Sequence, residues 1–305
     1  MLGLSDIAHN YAQLCPTQPS NHQTGRYESV FTKRGSCCAF VVWDVFPRLT
    51  PGYSAMQTVI ITGASSGLGA GLAEEFATRG YAVGILARRE AELQAVVARI
   101  EQAGGTAAYR VSDVTDKDGL ATAITELEAE LGVCDLLIAN AGGGHPMPAS
   151  AFDPDIISRM MRVNFDGTVN AIAAVLPAML ERGSGHIAAT SSLASYRGLA
   201  PGGPYSAAKA AVSTLMESLS VELRPQGIAV TTIHPGFVRT PLTDTNDHPM
   251  PFLMDLDDAC LTMADGLIGR RREVNFPWTT ATLMRAVRQL PRWVFEPLLK
   301  RVAKL

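Results

Sequence analysis

Short apolar runs alternate with longer amphipathic segments along most of the chain. Thr58–Thr62, Ala82–Ala87, a run holding Tyr109–Val111, Cys134–Ala139, His186–Thr190 and Ile228–His234 predict six strands, and Glu273–Phe276 a seventh. Helical spacing predicts helices from the glycine-rich turn after Thr62 through Gly80, and over Glu90–Gln102, Asp116–Leu131, Pro154–Glu181 and Tyr205–Leu223. Gly104-Gly105 stops the second, Pro177 bends the fourth near its end, and Pro225 with Gly227 closes the fifth. Strands apolar nearly throughout are buried on both faces, which implies a mostly parallel sheet between two layers of helices. Right-handed crossovers then give a doubly wound α/β sheet, whose ligands lie beyond the carboxyl ends of the strands.

The ends of the chain break the pattern. Residues 1–55 show no sustained period and read as an extension, or as a stretch upstream of a natural start at Met56. The single α/β domain then spans 56–277. In the tail, 278–305, Leu283, Val287 and Leu290 fall on one helical face while Arg285, Arg288 and Arg292 sit off it, and Trp278, Trp293 and Phe295 add aromatics. From Arg270 to Leu305 nine Lys/Arg face two Glu, a net +7 that leaves −10 for the rest. Two readings stay open: a packing or dimer helix with a solvated basic face, or a membrane-surface helix that collects lipid-like substrates.

Composition narrows the picture. With 47% hydrophobic and 18% charged residues and a net charge of −3, the chain resembles an ordinary globular enzyme and gives no global electrostatic case for nucleic acid. No apolar run looks long enough to cross a bilayer. Cys15, Cys37, Cys38, Cys134 and Cys260 match no zinc spacing, so reduced thiols, a cytoplasmic setting and no metal site are expected.

Candidate chemistry sits where the strands end. After the first strand comes Thr62-Gly63-Ala64-Ser65-Ser66-Gly67-Leu68-Gly69. Glycines there permit a tight turn and close approach of a pyrophosphate, and the helix start offers free N–H groups to the anion. An ordinary strand-to-helix turn looks similar, but this one heads an alternating fold. The second strand ends in Ala87 where NAD proteins usually place a carboxylate, followed by Arg88 and Arg89. Guanidinium forks suit a 2′-phosphate, which favours NADP, with Arg88 as main contact and Arg89 in support. A solvated arginine pair at a helix start is the alternative.

Tyr205 and Lys209 are four residues apart on a helix, hence on one face. A free phenol, with a pKa of about 10, is a poor base near neutrality, and a neighbouring ammonium lowers that value. Ser192 closes the fifth strand thirteen residues before Tyr205, and strand-end capping by Ser191 and Ser192 is the plain alternative.

Together, Thr-Gly-x-x-x-Gly-x-Gly, Asn140-Ala141-Gly142, Ser192, Tyr205-x-x-x-Lys209 and Pro235-Gly236-Phe237-Val238-Arg239-Thr240 resemble the short-chain dehydrogenase/reductase family over roughly Thr58 to Phe276. The resemblance implies a Rossmann fold and a nicotinamide cofactor held by Gly63, Ser65, Ser66, Gly67, Leu68 and Gly69. It places Asp113 on the adenine, with Val114 lining its pocket, though Asp113 alone reads equally as a helix cap. Asn140 would brace the sheet, Ala141 and Gly142 pass the cofactor, and Pro235, Gly236, Val238 and Thr240 complete its site. Ser192 would hold the substrate oxygen and Tyr205 transfer the proton. Lys209 would bind the ribose, and Asn164 would hold a water beside Lys209. The family commonly forms dimers or tetramers, so a homo-oligomer is implied. His145 and His234 read as a loop residue and a packed residue. The Pro/Met-rich Thr243–Asp258 falls at a substrate lid, and its apolar middle suggests a hydrophobic substrate. A non-catalytic NADP-binding regulator, or an epimerase or dehydratase with transient cofactor use, are the rival functions.

Overall fold

The computed structural model describes residues 57–144, 147–244 and 250–303. Residues 1–55, the proposed Met56 start, Cys15, Cys37, Cys38 and His145 lie outside them. The described strands are β1 (Thr58–Thr62), β2 (Ala82–Ala87), β3 (Thr106–Val111), β4 (Cys134–Ala139), β5 (Gly185–Thr190), β6 (Ile228–Pro235) and β7 (Glu273–Phe276). They form one sheet in the order β3-β2-β1-β4-β5-β6-β7, with every pairing parallel. The helices are α1 (Gly67–Thr78), α2 (Glu90–Gln102), α3 (Lys117–Leu131), α4 (Pro154–Met161), α5 (Gly167–Arg182), α6 (Gly203–Leu223), α7 (Leu256–Ile268), α8 (Trp278–Gln289) and α9 (Arg292–Ala303).

Alternation along the strands builds two apolar layers. Val59, Ile61, Val83, Ile85, Leu136 and Ile138 meet Leu72 and Phe76 of α1, Leu93 and Ile100 of α2, and Met263 and Leu267 of α7. Ile60, Leu86, Leu137, Ile187 and Val230 point the other way, into Leu120, Ile124 and Leu127 of α3, Ile172 and Val175 of α5, and Val212 and Met216 of α6. The doubly wound sheet follows from strands apolar on both sides.

The structure refines several expectations. The third strand begins at Thr106, directly after the glycine pair, and contains the expected Tyr109–Val111. The helix drawn over Pro154–Glu181 is interrupted by a π turn at Arg162–Asp166. There Asn164 Nδ2 donates to Met160 O at 2.9 Å, occupying the carbonyl that its own backbone N–H takes in a regular helix. By length and composition Pro154–Arg182 is apolar enough to cross a bilayer, at mean hydropathy 1.3, against the reading that no run is. Its apolar face nevertheless lies in the sheet's core through Ala171, Ile172, Val175 and Met179.

The tail forms two helices rather than one. Pro291 forces Leu290 into extended backbone (φ −65°, ψ 134°), which ends α8. Leu283, placed by helical spacing on the packing face, is 55% exposed; Ala281 and Phe295 are the buried contacts. Lastly, Leu256–Asp258 open α7 and leave the expected lid, while Met254 is pinned to the fold by Met254 N→Phe237 O at 3.0 Å and Arg239 N→Met254 O at 2.9 Å.

Phe76 is fully buried and meets Tyr81 edge-on, with ring centroids 5.0 Å apart. Phe76→Ala is expected to cost about 3–5 kcal/mol of unfolding free energy, read from urea denaturation. A loss under about 1 kcal/mol would mean that the layer closes over the gap.

Candidate active site

Strand order reverses between β1 and β4, and the crevice above that point holds a cavity of about 480 Å³. Gly63, Ser65, Ser66, Gly67, Leu68, Arg88, Arg89, Asp113, Val114, Asn140, Ala141 and Gly142 line one part of it. Ser192, Tyr205, Lys209, Pro235, Gly236, Val238 and Thr240 line the other. Of the residues singled out in the sequence, Gly69 and Asn164 are not in this lining.

Gly69 works from beneath. A Cβ there would lie 2.7 Å from Asn140 Nδ2 and 2.9 Å from Ala64 Cα, so the helix approaches the loop this closely only with glycine. Gly63 has φ +68°, and a side chain on it would meet Ala141 Cα at 2.6 Å. The Asn140 side chain then ties three strand ends together: Nδ2 donates to Thr62 O at 3.2 Å, and Oδ1 accepts from Thr190 Oγ1 at 3.2 Å. Thr62 Oγ1 accepts from the backbone N–H groups of Asn140 and Ala141, each at 3.1 Å. The Ser66 side chain makes no cap at the start of α1, so the first-turn amides are left for another acceptor.

The two arginines differ in their surroundings. Arg89 Nη2 donates to Ser65 Oγ at 2.8 Å and to Ser66 Oγ at 2.7 Å, which fixes it against the loop. Arg88 is 73% exposed, with its nearest carboxylate oxygen, on Asp113, at 3.7 Å. Hydrogen bonds from Thr115 N–H and Oγ1, aided by Arg88, outweigh the opposing effect of burial and hold the Asp113 carboxyl below its usual range. Ser112 Oγ, beside Asp113 in the cleft lining, is buried and has no hydrogen-bond partner in the protein. Open first-turn amides, a partnerless hydroxyl and two guanidiniums along one groove fit a phosphorylated nucleotide.

At the other end, Lys209 is 3% exposed and donates Nζ to Thr190 O at 2.8 Å. Burial lowers its pKa to about 8. Its ammonium stands 5.9 Å from the Tyr205 ring centroid. The Tyr205 pKa is raised, because desolvation outweighs the hydrogen bond with Ser192. In the protein alone, therefore, burial sets the direction of the phenol's shift. Ser192 Oγ lies 3.4 Å from Pro235 O and accepts from Ala194 N at 3.1 Å, so it also caps the following turn.

Asn164 is fully buried and staples the loop after β4, with Nδ2→Gly143 O at 2.8 Å and Gly143 N→Oδ1 at 3.1 Å. A Cβ on Gly142 would lie 2.6 Å from Asn164 Oδ1 and 2.9 Å from Lys209 Nζ, so any side chain there would displace both groups. The Asn164 carbonyl accepts from Thr168 Oγ1 at 2.9 Å. The sequence reading missed Gly144, where a Cβ would meet the Tyr205 ring at 2.5 Å. It also missed Thr62, Ser112 and Thr190. The third glycine of Gly142-Gly143-Gly144 was the available signal for the first; a lone Thr or Ser at a strand end carries none.

Comparison with known proteins agrees with this geometry. Residues 57–250 match the short chain dehydrogenase family model. An uncharacterized oxidoreductase of Myxococcus xanthus is 44% identical over 246 residues, covering 81% of this chain and 97% of that protein. A short-chain dehydrogenase from Sphingobium yanoikuyae in complex with NADPH superposes with a TM-score of 0.69 at 29% identity, over 76% of this chain and 92% of that one. A 3-ketoacyl-(acyl-carrier-protein) reductase from Brucella melitensis complexed with NADH does so with a TM-score of 0.67 at 27% identity, over 72% and 96%. A family match over more than half the chain, with a near full-length relative at this identity, means that the protein belongs to the short-chain dehydrogenase/reductase family.

Proposed function

We propose that the protein is an NADP(H)-dependent oxidoreductase that interconverts a carbonyl and a secondary alcohol, with Tyr205 as the proton-transfer residue. The observation that carries this reading is the convergence of Ser192, Tyr205 and Lys209 on the cleft that the glycine loop opens. A regulator that only binds the nucleotide has no chemical use for that trio. Net oxidation of free NADPH separates the proposal from an epimerase or dehydratase.

Bound nicotinamide supplies the hydride. Ser192 Oγ accepts from Ala194 N and donates at 3.4 Å to Pro235 O, a long bond that its proton can exchange for a carbonyl oxygen beside the Tyr205 hydroxyl. Tyr205 gives its proton as that oxygen gains negative charge; a phenol raised by burial is well suited to act as the acid in reduction. Lys209 holds the ribose hydroxyls and adds positive charge below the phenol as the proton leaves. Asn164 holds the loop over Lys209, and by resemblance a water that returns the proton. Arg89, preset by Ser65 and Ser66, and the exposed Arg88 take the 2′-phosphate, while Asp113 and Val114 take the adenine. Leu242 and Pro241, at the open end of the cleft lining, favour an apolar substrate. The exposed Trp278 and Trp293 keep an oligomer contact or a membrane contact of the basic tail within the proposal.

Tyr205→Phe should lower kcat by about a hundred-fold or more while the NADPH Kd changes less than about two-fold. Steady-state NADPH oxidation and a fluorescence titration measure the two, and near-normal turnover refutes the role. Arg88→Asp should weaken NADPH at least about ten-fold and leave NADH within about three-fold. Equal use of both cofactors by the unsubstituted protein defeats the NADP assignment. Reductive kcat/KM should fall as pH rises through about 8, because the Lys209 ammonium is charged below that value and neutral above it. A profile flat to about pH 10 would mean that the lysine's charge takes no part.

A further inference from the structure

Outside the cleft lining, three side chains and a backbone carbonyl meet at one hydroxyl. Ser213 Oγ, one helical turn beyond Lys209, lies 2.7 Å from Ser191 Oγ, 3.0 Å from Lys209 O, 3.2 Å from Ser195 Oγ and 3.2 Å from His234 Nε2. Each partner belongs to a different piece of the candidate active site. Ser191 immediately precedes Ser192 at the end of β5. Ser195 stands in the short helical turn Leu193–Tyr196 that Ser192 caps. Lys209 O belongs to the turn of α6 that carries the proposed ammonium. His234 ends β6 next to Pro235, whose carbonyl lies 3.4 Å from Ser192 Oγ.

We propose that Ser213 is a positioning residue that sets the distance between Ser192 and the Tyr205–Lys209 pair; this rests on the catalytic reading above. Lys209 is gripped at its two ends by two successive residues, Thr190 and Ser191. Its Nζ donates to Thr190 O at 2.8 Å, and its carbonyl accepts from Ser191 Oγ at 2.8 Å. The grip holds only while Ser191 stays turned toward the helix, and beside the Lys209 carbonyl itself Ser213 is the side chain on the helix that meets the Ser191 hydroxyl. A hydroxyl has one proton and two lone pairs. With Ser213 donating to Ser191, Ser195 or the carbonyl, His234 completes the junction by donating through Nε2. Burial lowers the pKa of His234 to about 4, so the ring is neutral across the working range rather than a titrating switch. Nδ1 then carries the lone pair, and it is the ring nitrogen that is buried without a partner.

Ser213 itself does not line the cleft and reaches it only through Ser191 and Lys209, which do. Replacement should therefore act through the placement of those two residues. Ser213→Ala is expected to lower kcat for phenanthrenequinone reduction roughly ten- to a hundred-fold, with the NADPH Kd and the Tm near those of the unsubstituted protein. Ser213→Thr, at a partly buried position, returns the hydroxyl and should restore most of the loss. Ser191→Ala should match Ser213→Ala, and the double variant should be no worse than either, because all three break one link. A reading that needs no substrate runs alongside: the ultraviolet phenolate signal of Tyr205 in the NADP⁺ complex, identified by its loss in Tyr205→Phe, should titrate at higher pH in Ser213→Ala.

An inactive Tyr205→Phe together with unchanged kcat and phenolate titration in Ser213→Ala overturns the positioning role and leaves the catalytic reading intact. Losses of kcat, NADPH affinity and Tm together, unrescued by threonine, also overturn it, since they mark general damage. An active Tyr205→Phe, with no phenolate signal assignable to that residue, defeats the catalytic reading itself.

Discussion

A lysine ammonium that is almost wholly buried, with no carboxylate paired to it among the described residues, is the constraint around which this site is arranged. Moving its pKa from 10.5 to about 8 corresponds to a cost of about 3 kcal/mol for keeping the charge at neutral pH. The fold meets part of that cost with the carbonyl of Thr190, which lies just where β5 runs out of ladder partners. A carboxylate would stabilise the charge more fully, and would also hold it away from whatever enters the cleft. A single neutral acceptor leaves the ammonium with donor capacity and an unneutralised field directed into the crevice. Parallel strands make this possible, since all seven end on the same side and their last carbonyls and amides collect there.

The same geometry explains why so much of the arrangement was legible in the sequence. Strand ends are announced by the change from apolar runs to glycine, serine and asparagine. The doubly wound order then places the ends of β1, β4, β5 and β6 beside one another. Gly63, Asn140, Ser192 and Gly236 could therefore be placed without coordinates. The π turn at Arg162–Asp166 could not, because it depends on one amide choosing the Met160 carbonyl over solvent. Nor could the exposure of Leu283, since helical spacing shows which residues share a face but not which face meets the protein. Pro291 did carry a signal, and its restriction on Leu290 is what divides the tail.

The direction of the Tyr205 shift has a physical lesson. Helical spacing brings a phenol and an amine to one face, but an interaction between them also requires that both lack nearer partners. Lys209 has Thr190, and Tyr205 has Ser192. With desolvation dominant, the resting phenol remains protonated, which suits donation during reduction more than abstraction during oxidation. A pyridinium ring in the crevice would supply the missing positive charge, so the phenol's acidity becomes coupled to which redox form of the nucleotide is bound.

The tail joins this arrangement at a definite point. Arg197 lies just beyond the turn that Ser192 caps; it donates Nη1 to Arg288 O at 2.9 Å, and its guanidinium carbon sits 4.4 Å from the Phe295 ring centroid. Tyr196, in the same turn, donates to Asn275 Oδ1 at 2.8 Å and stacks beside His234 at 5.1 Å. Two helices that looked like an appendage in the sequence are thus bound to the segment that orients the proposed substrate oxygen. Part of their basic character is explained locally: Arg285 pairs with Glu273 at 3.3 Å, and Arg288 lies over the Tyr196 ring. Those two arginines brace the wall of the site, and the net +7 of the tail already sets Glu273 against one of its arginines.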